Sequence, residues 1–390
     1  MQQPSLPKYR LTLYQRLARI DTFDFKLYYG SEEPMLANVA PEGFAAQMVP
    51  FQAFRLTRRT TFYWHGIQWH LASPQRSDVA IFCWNARFLT LLPALLRARL
   101  SGVPTALWGH GFSKSESWLR TMLRRIPSRI ADGIILYDFR TAAQWEQSGY
   151  PTDKIFVAPN GLNTMEILRI AERSRSRPQA EIDAFERRNG LVHGPVLLYI
   201  GRIYPQNRLD LAIGSLADLS TTHPNAVLVV IGAGENEGEL REHAASLGVA
   251  DRVKWTGALY REEEIAPWMI AADVFVYPCN VGLSLIHGFN YGLPAVVCAP
   301  AEAHNPEVWA LKDGVNGIVA DRQSPESIAA AVRRIVDDPD THGRMRQAAL
   351  DCCRDTYNID AVGQTFERLI RRLADRRGRS HAALPCKVDE

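Results

Sequence analysis

Short apolar runs recur along the whole chain, and stretches with helical spacing of apolar residues separate them. The apolar runs cover residues 23–29, 46–49, 79–84, 105–108, 133–137, 155–158, 196–200, 227–231, 274–277 and 295–298. The helical patterns cover residues 11–20, 86–100, 115–126, 141–148, 324–337, 341–357 and 359–374. Runs of this length predict buried strands, and strands that alternate with helices predict parallel, doubly wound sheets. The predicted fold class is therefore α/β.

One strand–turn–helix stretch organises the second half of the chain. The strand at 274–277 runs into a turn that contains Asn280 and Gly282, and a short helix follows with Ser284 in its first turn. Such a unit places a helix N-terminus at the carboxyl edge of a sheet, where free N–H groups favour an anion such as a diphosphate. His287 lies one turn along and is expected to touch the same ligand. A histidine that is only hydrogen-bonded inside a buried helix is the alternative.

Composition and charge narrow the class of protein. The chain has 390 residues, of which 46% are hydrophobic and 22% are charged, as in ordinary globular proteins of two to three domains. Residues 1–165 contain 19 Lys and Arg against 11 Asp and Glu, or +8, so the remainder carries 26 against 31, or −5. The basic half fits an anionic membrane or a phosphorylated acceptor. Nucleic acid is disfavoured as a partner because no recognised nucleic-acid motif occurs.

Cysteine spacing and the absence of long apolar runs suggest a cellular location. The six cysteines show no metal or redox spacing, so we expect reduced thiols and a cytoplasmic protein. The first residues are polar and short, so no signal peptide is expected. No run of about 18 apolar residues occurs, so no membrane-spanning helix is expected. Peripheral contact with the inner face of the cytoplasmic membrane remains open.

The stretch at 279–295 resembles the donor-binding segment of family 4 GT-B glycosyltransferases, which are retaining enzymes that use nucleotide sugars. Their pattern is Glu-x7-Glu, followed by small and apolar residues and Gly-x-Pro-Val. Gly282, Gly292 and Pro294 keep this frame, whereas Cys279 stands at the first Glu position and His287 at the second. The sequence VGLSLIHGFNYGLPAVV, at residues 281–297, resembles a sub-pattern of the family in which His replaces the second Glu. Under this resemblance, His287 hydrogen-bonds the ribose hydroxyls of the donor.

The strand at 196–200 resembles the family's Gly-Arg-x4-Lys segment, whose Arg and Lys hold the diphosphate. Gly201 and Arg202 match, whereas Asn207 stands at the Lys position with Arg208 beside it. The resemblance implies that Arg202 and Arg208 are the catalytic cations that neutralise the departing nucleotide. A surface ion pair is the alternative for Arg202. No Asp-x-Asp motif accompanies these stretches, so neither a metal nor another cofactor is expected.

The remaining site residues follow other predicted strands. The resemblance implies a donor site formed by Gly201, Asn207, Gly232, Gly234, Gly257, Cys279, Asn280, Gly282, Leu283, Ser284 and His287. It places His110 near the transferred sugar or the acceptor, as a third catalytic candidate, because this residue lies between two glycines at a strand end. A turn histidine with a structural hydrogen bond is the alternative there. Lys8 and Arg10 are assigned, with His110, to the acceptor side.

The predicted organisation is GT-B, with two Rossmann-like doubly wound domains that face each other across a cleft. An acceptor-side domain is expected at 1–162, with its first strand missing or replaced, and a nucleotide-sugar-binding domain at 163–356. A helix at 357–375 is expected to cross back to the first domain, and the tail at 376–390 is expected to be disordered. The Pro159-Asn160-Gly161 turn marks the boundary.

Three functions remain open. The favoured one is a retaining glycosyltransferase that moves a hexosyl-type group from a UDP- or GDP-sugar to a glycan or lipid-linked acceptor in bacterial surface polysaccharide or glycolipid biosynthesis. The second is a catalytically weak or inactive GT-B protein that acts as a binding or partner subunit, because both family acids and the Lys are replaced. The third is another GT-B reaction, such as an epimerase or a phosphorylase. Donor-dependent release of UDP or GDP distinguishes the first two.

Overall fold

The computed structural model describes residues 1–30, 38–57, 60–111 and 118–382. The strands are β1 Gln2–Gln3, β2 Lys26–Tyr29, β3 Ala45–Met48, β4 Gln52–Thr57, β5 Thr60–Trp64, β6 Ala80–Cys83, β7 Thr105–Trp108, β8 Gly133–Leu136, β9 Ile155–Val157, β10 Val196–Ile200, β11 Val227–Ile231, β12 Val253–Gly257, β13 Val274–Val276, β14 Ala295–Cys298 and β15 Gly317–Ala320. The α-helices are α1 Leu11–Ala18, α2 Ile67–Leu71, α3 Leu91–Leu100, α4 Trp118–Ile130, α5 Phe139–Gln147, α6 Thr164–Arg175, α7 Gln179–Asn189, α8 Leu209–Leu219, α9 Glu237–Ser246, α10 Glu262–Ala271, α11 Leu283–Asn290, α12 Pro325–Val336, α13 Pro339–Asp355 and α14 Ile359–Ala382.

Two compact units divide the chain. Unit 1 comprises residues 1–159 together with the described residues from Ile359 onward, and unit 2 comprises Asn160–Asn358. Unit 1 contains parallel strands in the orders β1-β2-β3 and β6-β7-β8-β9, and an antiparallel hairpin β4-β5. Unit 2 contains one parallel sheet in the order β12-β11-β10-β13-β14-β15. Helices between parallel strands cover both faces of such sheets, as expected for doubly wound folds.

Buried aliphatic strands form the core of unit 2. All five residues of β11 are buried, as are the four of β14, which is why these strands read as continuous apolar runs. In unit 1, one apolar cluster combines α1 with residues of α14 at helical spacing, such as Val362, Phe366 and Leu369. The ring of Phe366 makes a T-shaped contact with Trp108 at 4.9 Å. The last helix therefore packs in unit 1 through one apolar face.

The first strand was expected to be missing or replaced by residues 1–6, and the structure has a short strand within those residues. Gln2 and Gln3 form β1, which pairs in parallel with β2. Both side chains are buried. The Oε1 of Gln2 accepts hydrogen bonds from the backbone N–H of Cys83 at 3.2 Å and from Nε2 of Gln68 at 2.8 Å. A hydropathy pattern cannot identify a strand whose buried residues are glutamines that are satisfied by distant partners.

The end of the chain also differs from the expectation. Helix α14 continues to Ala382, whereas a disordered tail was expected from residue 376. Glu367 and Arg371 form an i,i+4 ion pair within this helix, at 2.7 Å between Oε1 and Nη2, which supports the helical conformation. Residues 383–390 of the predicted tail, and the beginning of the helix predicted at 115–126, lie outside the described residues. None of the described helices combines the length and the apolar character that crossing a membrane requires.

Candidate active site

The turn before α11 is braced by side chains from the segment that follows β14. The N–H of Val281 donates to Nδ1 of His304 at 3.1 Å, and Nδ2 of Asn305 donates to the carbonyl oxygen of Asn280 at 3.0 Å. His304 Nε2 donates in turn to the carbonyl oxygen of Cys298 at 2.8 Å, so its imidazole is the neutral tautomer with the proton on Nε2. Asn280 has φ 59°, a left-handed conformation that asparagine tolerates. The turn is therefore held by specific hydrogen bonds.

The N-terminus of α11 exposes backbone donors beside this turn. The helix begins at Leu283, and no side chain caps it. A Cβ placed on Gly282 would approach Asn305 Nδ2 no closer than 3.4 Å. Leu283 and Ser284 are half-buried in the first helical turn, where N–H groups lack intrahelical partners. An anion held at this position would be stabilised by these N–H groups and by the helix dipole.

Arg202 follows β10 with a fixed backbone and an exposed side chain. Its carbonyl oxygen accepts from the hydroxyl of Tyr199 at 2.8 Å and from Nδ2 of Asn207 at 2.7 Å. Its Nη1 makes one long hydrogen bond, at 3.4 Å, to the hydroxyl of Tyr204. The guanidinium is exposed, and its free N–H groups suit a phosphate. Of the predicted cations, Arg202 is the one with an exposed guanidinium and no ion pair to an acid within the described residues.

Asn207 lies in the interior of unit 2 rather than on its surface. The residue is 4% exposed. Its Nδ2 also donates to the hydroxyl of Tyr277 at 2.8 Å, and its Oδ1 accepts from Nδ2 of Asn280 at 3.2 Å. Its carbonyl oxygen accepts from the N–H of Cys279. Asn207 therefore links the turn after β10 to the turn before α11, and contact of its side chain with a donor remains a prediction.

Arg208 is paired with an acid of its own unit. Its Nε and Nη2 donate to the carboxylate of Asp210 at 3.0 and 2.9 Å, and this hydrogen bonding raises the pKa of Arg208. The residue has φ 54°, which is uncommon for a side chain of this size. Burial raises the pKa of the Cys279 thiol, and the Arg208 guanidinium opposes that rise. The charge predicted to act on the diphosphate is thus shared with Asp210.

Glycines allow the turns after β10 and β11 to approach each other closely. A Cβ on Gly232 would lie 1.9 Å from the carbonyl oxygen of Gly201, and one on Gly234 would lie 2.1 Å from that of Ile203. Such distances are too short for any side chain. The N–H of Gly232 donates to the carbonyl oxygen of Gly257 at 2.9 Å. Packing therefore requires glycine at 232 and 234, and contact of Gly201, Gly232, Gly234 and Gly257 with a nucleotide remains a prediction.

His287 is hydrogen-bonded to an acid that the sequence did not indicate. Its Nε2 lies 2.8 Å from Oε1 of Glu262, which also accepts from the hydroxyl of Tyr291 at 2.6 Å. The side chains of His287 and Glu262 are 14% and 21% exposed. Burial raises the pKa of the Glu262 carboxyl, but the contacts with His287 and Tyr291 outweigh that effect and the pKa is lowered.

The predicted acceptor-side residues lie in unit 1. His110 follows β7 and is exposed, and its ring centroid lies 4.5 Å from that of Tyr137. Lys8 and Arg10 belong to a single 3-10 turn before α1. Lys8 is exposed, whereas the guanidinium of Arg10 donates to the hydroxyl of Tyr137 at 2.6 Å. The structure therefore brings Arg10 and His110 onto the same tyrosine.

Glu262, His304 and Asn305 were missed as participants in this site. Glu262 is separated from His287 by 25 residues, and His304 from Val281 by 23. The only available signal was the position of each residue after a predicted strand, because carboxyl ends of parallel strands share one edge. In the described part of the chain, no group of His, Cys, Asp and Glu side chains is placed to bind a metal ion.

Comparison of the sequence with known proteins identifies similar enzymes that transfer sugars. Residues 182–351 match the family model described as glycosyl transferases group 1. The chain is 28% identical to a GDP-mannose-dependent alpha-(1-6)-phosphatidylinositol monomannoside mannosyltransferase of Mycolicibacterium smegmatis, over 67% of this chain and 68% of the relative. It is 23% identical to the lipopolysaccharide core biosynthesis glycosyltransferase LpsE of Rhizobium meliloti, over 77% of this chain and 78% of that protein.

The chain is a glycosyltransferase. The segment that matches the family model contains Arg202, the turn before α11 and Glu262. Its fold is also found in the crystal structure of Anabaena HepE in complex with UDP, with a TM-score of 0.68 and 14% identity over 95% of the glycosyltransferase and 98% of that chain. The glycosyltransferase therefore has the GT-B fold of two Rossmann-like domains.

Proposed function

We propose that this glycosyltransferase is a retaining, metal-independent enzyme of family 4. It transfers a sugar from a UDP- or GDP-sugar to a glycan or lipid-linked acceptor in bacterial surface polysaccharide or glycolipid biosynthesis. The M. smegmatis relative is GDP-mannose-dependent and the R. meliloti relative acts in lipopolysaccharide core biosynthesis, according to their names. The observation that carries the proposal is the match of residues 182–351 to a glycosyltransferase family, over the segment that contains Arg202 and α11.

In the proposed reaction, the bond between the sugar C1 and the diphosphate breaks and the nucleoside diphosphate leaves with the electron pair. The acceptor hydroxyl oxygen forms the new bond to C1 on the same face, and its proton goes to the departing phosphate. Charge therefore develops on the diphosphate, where preorganised donors lower the barrier most. The exposed guanidinium of Arg202 and the N–H groups of Leu283 and Ser284 are the donors that supply this stabilisation.

The donor pocket gives Asn207 and Glu262 supporting roles. Asn207 donates a hydrogen bond to the carbonyl oxygen of Arg202 and accepts one from Asn280 in the turn before α11. It therefore fixes the position of Arg202 relative to the N-terminus of α11. Glu262 orients His287, which leaves the imidazole poised at the first two turns of α11 for the donor ribose. These positioning residues determine where the diphosphate and the ribose lie.

Substitution of Arg202 by alanine tests the proposal. We expect Arg202→Ala to lower kcat by about 10²–10³, the usual loss when one donor to a developing oxyanion is removed. Release of UDP or GDP from matching nucleotide sugars is measured, after nucleoside diphosphates have been screened for thermal stabilisation. Arg188→Ala on α7, also an exposed arginine of unit 2, is the control. Unchanged turnover in Arg202→Ala removes the site assignment, and no release by the wild type favours a binding subunit instead.

We also propose that unit 1 contacts the anionic inner surface of the cytoplasmic membrane through the α3 face. This face comprises Leu92, Leu96 and Leu100 on α3, with Leu89 before it and Trp69 on α2; their side chains are 38–89% exposed. Residues 43–131 contain twelve Lys and Arg against two Asp and Glu, or +10. Exposed leucines beside a strongly basic segment fit a bilayer of anionic lipids.

Sedimentation with lipid vesicles tests this contact. We expect the wild type to bind vesicles that contain phosphatidylglycerol and to remain in solution with phosphatidylcholine alone. Replacement of Leu92 and Leu96 by glutamine is expected to abolish most of the binding, because about 0.8 kcal/mol is lost for each CH₂ group that no longer enters the bilayer. Equal binding to both vesicle types would rule out the charge-based part of the proposal.

A further inference from the structure

We propose that Arg10 binds a phosphate group on the acceptor, at the carboxyl edge of the strands of unit 1. The inference rests on the proposed function, because it concerns the acceptor of the sugar. It specifies the chemical class of that acceptor, a phosphate ester, and it assigns a ligand to a half-buried arginine that the proposed donor chemistry does not use.

Arg10 lies where the ends of several strands meet. It closes the 3-10 turn after β1 and precedes the first residue of α1. Gln3 is the last residue of β1, Trp108 the last of β7, and Tyr137 follows β8. All three contact the guanidinium of Arg10. Carboxyl ends of parallel strands are the usual ligand-binding edge of an open α/β sheet.

The guanidinium is held in one orientation by neutral groups. Nη1 donates to Oε1 of Gln3 at 2.8 Å, and Nη2 donates to the hydroxyl of Tyr137 at 2.6 Å. Its Cζ lies 4.3 Å from the ring centroid of Trp108 and 5.5 Å from that of Tyr9. Burial raises the pKa of the Tyr137 hydroxyl, so this partner stays uncharged at neutral pH. The positive charge is therefore stacked and oriented, but it is not neutralised by these contacts.

Two donors of this cluster have no acceptor. Arg10 Nε and Gln3 Nε2 are buried atoms without a hydrogen-bond partner, and Gln3 as a whole is 1% exposed. No acid forms an ion pair with Arg10 in the described part of the chain. A half-buried guanidinium that lacks a counter-charge, and buried N–H groups that lack acceptors, are both unfavourable. An anion with several oxygens would satisfy the charge and the donors together.

A phosphate ester meets these requirements better than a neutral sugar. The planar guanidinium donates in parallel to two oxygens of one phosphate, and a third oxygen remains for a neighbouring donor such as Gln3 Nε2. His110 lies on the other side of this cluster, with its ring 4.5 Å from that of Tyr137. A phosphate bound at Arg10 would place the rest of the acceptor beside His110, the residue predicted to touch the reacting groups.

Calorimetric titration of the full chain with sn-glycerol 3-phosphate and with glycerol tests the proposal. Saturating nucleoside diphosphate is present so that the donor site is filled. We expect glycerol 3-phosphate to bind and glycerol not to bind. Arg10→Met should weaken the binding by on the order of tenfold to a hundredfold, the value of a charge-assisted hydrogen bond to phosphate. Arg19→Met, an exposed arginine of the same unit, should leave it unchanged.

Arg10→Lys keeps the charge and the long apolar stem and is therefore the variant to use if Arg10→Met does not fold. It should retain part of the affinity, since it loses the two-point contact but not the positive charge. Inorganic phosphate is the comparison probe. If inorganic phosphate binds and glycerol 3-phosphate does not, the acceptor assignment is overturned. Equal affinities in Arg10→Met and Arg19→Met would overturn the assignment to Arg10.

Failure of this inference is distinguishable from failure of the proposed function. Binding of nucleoside diphosphate and turnover of a nucleotide sugar report on unit 2 and are measured separately. A wild-type protein that binds nucleotide but shows no preference for glycerol 3-phosphate over glycerol refutes only the phosphate subsite. A protein that binds glycerol 3-phosphate through Arg10 but binds no nucleoside diphosphate retains the subsite and loses the proposed donor.

Discussion

Replacement of Glu262 by glutamine tests the contact on which the ribose end of the proposed site depends. The carboxylate accepts from His287 and Tyr291 at 2.8 and 2.6 Å. It is only 21% exposed, so solvent screening is limited. A hydrogen bond to a charged group contributes about 1.5–3 kcal/mol. Glutamine keeps the shape and one acceptor oxygen but loses the charge, so we expect a loss of about 1.5 kcal/mol in the free energy of unfolding at pH 7.

The pH dependence of that loss identifies its cause. The pKa of Glu262 is lowered in the folded chain from an ordinary value of 4.5. A group with a lowered acidic pKa stabilises the fold above its unfolded pKa, and the stabilisation disappears as the pH falls through the folded value. The difference between wild type and Glu262→Gln should therefore be constant above about pH 6 and should shrink below about pH 4.5. Thermal unfolding across this range measures it, as a difference of about 3–6 °C at pH 7.

Glu263→Gln is the matched control because Glu263 is the exposed neighbour of Glu262 on α10. It should unfold like the wild type at every pH. The reasoning is refuted if both variants have the same melting temperature at pH 7, or if the loss in Glu262→Gln is independent of pH down to pH 3. In addition, Glu262→Gln should raise the KM for the nucleotide sugar more than it lowers kcat, because its effect is on the orientation of His287.

Two further pairs of substitutions, each a variant with its control, test the packing of glycine turns in unit 2 and a buried histidine in unit 1. Gly232→Ala places a Cβ 1.9 Å from the carbonyl oxygen of Gly201 and should lower the free energy of unfolding by at least about 3 kcal/mol. The Cβ of Gly238→Ala would have open space on helix α9, and this variant should raise the free energy of unfolding by about 0.5–1 kcal/mol. Urea unfolding compares the two variants, and equal effects would contradict the structure. Burial lowers the pKa of His65 to about 4, so the unfolded chain gains a proton before the folded one and stability should fall from about pH 6.5 to about pH 4. His65→Gln should lose part of this acid sensitivity in thermal unfolding, and His70→Gln, at an exposed position on α2, should keep it.

Continuous apolar strands were the part of the fold that the sequence made predictable. The expected bounds at 105–108, 196–200, 227–231 and 295–298 are those of the structure. A strand covered by helices on both faces needs apolar side chains at every position, so its signal does not depend on which strand lies beside it.

Polar residues whose partners lie far along the chain were the part that could not be predicted. Gln2 is buried in β1 and bonded to Gln68 and Cys83, so its role depends on contacts across more than 60 residues. The β4-β5 hairpin was missed because the residues of β4 are exposed and the hairpin lacks the alternation of a half-buried strand. The direction of a side chain is set by tertiary contacts, which a pattern along one chain does not contain.

In the candidate site too, the backbone features could be predicted from the sequence, whereas the side-chain partners could not. The glycines and the helix start at Leu283 could be predicted because a close backbone approach or a helix N-terminus imposes a residue type. The sequence could not predict which charged side chains are available to a ligand. Asn207 is hydrogen-bonded inside unit 2, and Arg208 forms an ion pair with Asp210. A local pattern records which residues are allowed at a position, and ion pairing is decided by neighbours that the pattern does not include.

Under the proposed assignment to family 4, Cys279 and His287 stand where the family has two acids, and we infer that groups from elsewhere in unit 2 replace them in part. The carboxylate of Glu262 reaches α11 from a different helix and contacts His287, which stands at the place of the second acid. Near Cys279, which stands at the place of the first, the ion pair of Arg208 and Asp210 supplies a carboxylate together with its own counter-charge. Because an ion pair contributes little net charge, we expect the exposed guanidinium of Arg202 to stabilise a diphosphate at the proposed site more than Arg208 does. This distribution is why substitution of Arg202 is expected to affect turnover more than substitution of Arg208.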